Sequence, residues 1–77
     1  MTTKEIIDCY LDGRTSVRIT YKQFHWIMVM ASKEGVSTLR DGVGCTIFFP
    51  DQKFIIRGGA VTHGNYSPRL TLEQHAS

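Results

Sequence analysis

The chain has 77 residues, 42% of them apolar and 21% charged, with a net charge of +2 and a pI near 8.7. A chain this short buries only about 60–65% of the surface it exposes when unfolded, so residues 1–77 are expected to form one small domain with a single core and no separate cofactor and substrate lobes. The composition excludes a disordered chain, and the mild positive charge permits an acidic partner without the concentrated Lys and Arg of a dedicated nucleic-acid module.

Thr2 followed by Glu5 fits a capping box, in which each side chain satisfies the other residue's backbone N–H, so a helix is expected to start here. Met1 and Ile6 hold the positions of a hydrophobic staple. Ile6, Ile7, Tyr10 and Leu11 then fall on one face, away from Lys4, Asp8 and Asp12, and Gly13 is expected to end the helix. Arg14–Ile19 reads as a connector with a short extended piece, since Val17 and Ile19 alternate with Arg18.

The same start signals return at Thr20 and Gln23, with Ile19 and Phe24 as the staple, and predict a second helix from Tyr21 to Glu34 that stops at Gly35. At 100° per residue Phe24, Ile27, Met28 and Ala31 form one apolar stripe, expected to face a sheet. Trp26, Val29 and Met30 form a second, mixed with Lys22 and Lys33. Either the first helix covers that second stripe, or Trp26 and Met30 stay accessible as a docking patch, where such residues are enriched.

Val36–Gly42 reads as a loop with an Asp41-Gly42 turn signal. A β-hairpin follows. Its first strand, Val43–Phe49, sets Val43, Cys45, Ile47 and Phe49 on one face and Thr46 and Phe48 on the other; Pro50 favours a turn; Lys53–Arg57 returns. Gly58-Gly59 interrupts the pattern, Ala60–Thr62 is a candidate third strand, and His63-Gly64-Asn65 a candidate turn. In the tail Leu70 and Leu72 alternate with Arg69, Thr71 and Glu73, which favours a strand over the helix start that Ser67-Pro68 also permits. The expected fold is therefore α+β: two N-terminal helices packed on one face of a three- to four-stranded antiparallel meander.

The spacing of chemistry-bearing residues excludes most catalytic readings. His25, His63, His75, Cys9 and Cys45 contain no close ligand pair, so no metal or cofactor is expected. Cys45 reads as a buried small hydrophobe, and Cys9 lies beside Asp8, which opposes thiolate formation. No glycine pattern matches a phosphate-binding loop. The weakest reading is a small hydrolase or nuclease built on His63, and no catalytic residue is assigned. Two cysteines make no disulfide framework, and neither a leader pattern nor an apolar run of about 20 residues is present, so the expected location is the cytoplasm, with no membrane partner.

The leading expectation is a non-enzymatic protein-binding module that docks on a macromolecular partner or on a second copy of itself. Its size suits an accessory or regulatory factor, such as a phage- or mobile-element-type inhibitor of a host complex. The residues expected to dock are Trp26, Val29 and Met30, with His63, Asn65 and Tyr66 from the later turn. The alternative is a nucleic-acid-binding regulator that uses a basic face of Arg14, Arg18, Lys22, Lys53 and Arg57.

Overall fold

Both helices start where their threonines say they should. In the computed structural model, which describes residues 1–41, 44–58 and 70–76, helix α1 spans Thr3–Leu11 and helix α2 spans Tyr21–Glu34. At each, the threonine hydroxyl accepts from the N–H three residues on, and the Glu5 or Gln23 side chain accepts from the threonine's own N–H. The Thr2 N–H and hydroxyl hold the Glu5 carboxyl below the usual carboxylate range. This contribution to stability is therefore complete above the ordinary carboxylate pKa and is lost as pH falls through the lower folded value. Asp12 (φ 51°) and Gly13 (φ 79°) both turn left-handed to end α1, and Gly35 (φ 71°) ends α2. The first staple does not form a buried contact, because Met1 is 75% exposed, whereas Ile19 and Phe24 both enter the core.

The sheet has five strands, one more than the most expected, and all pairings are antiparallel. They are β1 (Ser16–Ile19), β2 (Thr38–Asp41), β3 (Gly44–Phe48), β4 (Gln52–Gly58) and β5 (Leu70–Ala76), in spatial order β1-β5-β4-β3-β2. Two expectations need correction. The connector before α2 is a strand, so the order is helix, strand, helix, then four strands, and β1 crosses to the far edge to pair with β5, Ser16 opposite Glu73. The segment read as a loop contains β2, which adds a second edge beside β3, Leu39 opposite Thr46. The hairpin and the strand character of the tail agree with expectation; Val43 and the third-strand and turn candidates at 60–65 lie outside the described residues.

Strand alternation sorts the sheet into two faces. Cys45, Ile47, Phe54, Ile56, Leu70, Leu72 and Ile19 point to the helix layer and form one buried cluster with Ile6, Ile7 and Leu11 of α1 and Phe24 and Ile27 of α2. The cross-strand pairs Cys45–Ile56 and Ile47–Phe54, continued by Ile56–Leu72, make the floor. The helices are tied to each other through Glu34 at the end of α2. Its carboxylate accepts from the backbone N–H of Thr3 at 2.8 Å and from the Thr3 hydroxyl at 3.0 Å. Thr3 is fully buried, and this contact satisfies one of the four donors left open at the start of α1.

Candidate functional site

The outer face of α2 carries the expected docking residues. Residues 22, 26, 29 and 33 fall within an arc of about 60° on the side opposite Phe24, Ile27 and Ala31. Trp26 is 47% exposed, so α1 does not cover it. Val29 is half-buried, and Met30, also half-buried, packs against the core cluster. Of the patch proposed from the sequence, Trp26 is the accessible anchor while Val29 and Met30 form its partly sunken floor. Lys22 and Lys33 are exposed within this arc, about one turn before Trp26 and one turn after Val29 along the helix axis. Tyr21, 59% exposed, stands beside it with its ring edge-on to Phe24. His63, Asn65 and Tyr66, the other expected docking residues, lie outside the described residues.

The second surface is the side of the sheet away from the helices. No described element covers it. The register lays Arg18, Thr71, Arg57, Gly44 and Asp41 across the strands in one row, Ser16, Glu73, Ile55, Thr46 and Leu39 in the next, and His75, Lys53 and Phe48 in a third. Phe48 is 41% and Leu39 58% exposed. Beside Gly44, which has no side chain to fill the space, a shallow hollow of about 280 Å³ is lined by Asp41, Gly44, Cys45, Thr46, Ile55 and Arg57.

The five basic residues of the alternative reading therefore separate. Arg18, Lys53 and Arg57 share the open sheet face. Arg14 lies in the turn after α1, and Lys22 belongs to the α2 patch. Sequence reading missed Leu39 and Phe48 as surface features. Phe48 falls on the expected strand face, but that no described element covers this face follows only once both helices are placed on the other.

Cys45 does not sit in an activating environment. Cys45 is buried, its thiol lies 3.7 Å from the Met28 sulfur, and burial pushes its pKa up against a smaller opposite pull from Arg40. Cys9 is exposed. A disulfide-exchange reagent is expected to label Cys9 readily in the native protein and Cys45 only after denaturant is added; equal native rates would contradict the packing of Cys45. Among the described residues no three His, Cys, Asp or Glu side chains come together, and no helix is long and apolar enough to cross a membrane.

The fold and its surfaces define a two-layer α+β domain with one aromatic-basic helix face and one sheet face that no described element covers. No protein-family model, curated protein or solved structure matches the chain.

Proposed function

We propose that this protein is a non-enzymatic binding module that docks on a protein partner, or on a second copy of itself, through the outer face of α2. The observation that carries this reading is Trp26, a large amphipathic side chain held nearly half exposed on a helix whose opposite side is fixed in the core. Trp is among the residues that contribute most when buried at the centre of an interface. Half-buried Val29 and Met30 extend the apolar contact, and Lys22 and Lys33 supply a polar rim that favours an acidic partner surface.

Trp26→Ala is expected to cost the fold only about 1 kcal/mol, since much of the ring is already in water and Ala is the better helix former. It should nevertheless abolish retention of partners captured on the wild-type protein from its native host, or dissociate a dimer seen by sedimentation. Trp26 is the chain's single tryptophan, so its emission reports this face alone. A blue shift is expected when the complex forms. Capture and self-association that are unchanged in Trp26→Ala would remove α2 as the docking surface.

A further inference from the structure

We propose that the sheet face turned away from the helices is a binding surface for single-stranded nucleic acid, separate from the α2 patch. Three cations that are scattered in sequence meet here. Arg18 comes from β1 and Arg57 and Lys53 from β4. Arg18 and Arg57 stand in one cross-strand row, both flanking Thr71, at a separation of about 10 Å set by two strand spacings. Lys53 lies four residues from Arg57 on the same strand and face, about 13 Å away. These separations suit neighbouring and next-neighbouring phosphates of an extended strand rather than a single compact anion.

Two carboxylates share this face, Asp41 at its edge and Glu73 on β5, diagonal to all three cations. Asp41 sits on the edge strand β2, and Glu73 is 3.2 Å from the His75 imidazole. The described ion pair is Lys4–Asp8, and the Glu73–His75 contact is one only when the imidazole is protonated; neither includes Arg18, Lys53 or Arg57.

An exposed aromatic ring completes the arrangement. Phe48 lies directly across from Lys53 and is 41% exposed. A cationic track beside an aromatic platform is how single strands are held without sequence readout, because every base has a face to stack. The same features select against a duplex. Paired bases offer no free face to Phe48, and a rigid backbone laid on the sheet would press the apolar Phe48 and Leu39 against phosphates. Helix α2, with its apolar inner stripe committed to the core, has no groove-reading role in this arrangement.

The test is fluorescence anisotropy with labelled oligothymidylate, oligouridylate and a mixed-sequence duplex of equal length. Both single strands are expected to bind, the duplex much more weakly, with log affinity falling against log salt at a slope of about −2 for three phosphates. The pair Lys53→Glu and Arg57→Glu should weaken single-strand binding at least tenfold, with Arg57→Gln as the milder variant should the pair fail to fold. Phe48→Ala should weaken it by about tenfold. Glu73→Gln should strengthen it by about twofold, because it removes a repelling charge. Arg14→Glu, which lies off this face, should leave it unchanged.

Absence of binding at low salt would overturn the proposal, as would binding indifferent to the sheet variants or equal for duplex and single strand. Loss of a protein complex in Phe48→Ala without any oligonucleotide binding would assign the face to a protein and overturn it too. The outcome is independent of Trp26→Ala, so failure of one surface is distinguishable from failure of the other.

Discussion

Phe54→Ala is expected to lower the thermal midpoint by at least about 15 °C and to leave much of the protein unfolded at 37 °C. Phe54 is the largest of the side chains that are fully buried. It sits in β4, which pairs with β3 on one side and β5 on the other. Its ring meets Phe49 edge-on, with centroids 5.6 Å apart, and the Lys4 ammonium lies 5.7 Å from the ring centre. Truncation removes a ring that touches both layers and leaves a void between them, a change that costs about 3–5 kcal/mol. A domain of this length has about 4–11 kcal/mol of stability in total, so the loss takes about a quarter of it or more. Thermal melting by circular dichroism checks this, and a fall of less than about 5 °C would mean that the core closes around the gap. Phe54→Leu, which keeps most of the volume, should cost only about 1.5 kcal/mol.

Glu34→Ala is the second large effect, expected to cost about 2 kcal/mol and to lower the midpoint by roughly 8–16 °C. A carboxylate at the last position of a helix is disfavoured by that helix's own dipole. Glu34 is placed instead for α1, whose positive end it meets: it accepts from the Thr3 N–H and hydroxyl. Removing the carboxylate strands two donors on a fully buried residue. Glu34→Gln keeps one acceptor oxygen and should lose about half as much. A double-mutant cycle with Thr3→Ala should return only the hydroxyl's share of the Glu34→Ala penalty as coupling, because alanine keeps the backbone N–H that donates to the carboxylate. A Glu34→Ala melt within about 2 °C of wild type would show that water replaces the contact without loss.

The parts of the fold that rest on local signals were legible in the residues. Thr2 with Glu5 and Thr20 with Gln23 announce both helix starts, and Gly35 ends α2 where expected. The hairpin was readable because Cys45 and Ile47 alternate with Thr46 and Phe48. What escaped depends on distant partners. β2 is exposed throughout and its polarity is inverted: Thr38 and Arg40 point to the helix side while Leu39 points to water. Arg40 substitutes for an apolar residue by laying its guanidinium 5.7 Å from the Phe24 ring centre. No binary pattern predicts a strand written that way. β1 carried a faint alternation, but its partner is at the other end of the chain. The Glu34–Thr3 tie had no sequence signal at all. Of the candidate site, Trp26 was legible as a surplus aromatic on α2, whereas the grouping of Arg18 with Lys53 and Arg57 needed the strand order.

The position of β5 has a consequence for how the chain is made. Of the five described strands it leaves the ribosome last, yet it lies inside the sheet, between β1 and β4. Until it emerges, β1 has no neighbour and β4 keeps an unpaired edge, while the apolar stripes of both helices wait beside an incomplete floor that still lacks Leu70 and Leu72. Vectorial synthesis therefore cannot build this domain from its first residues onward. A nascent chain stalled before Leu70 adds an unpaired β1 and an open β4 edge to the outer edge of β2, exposed to whatever chaperone or neighbouring chain it meets.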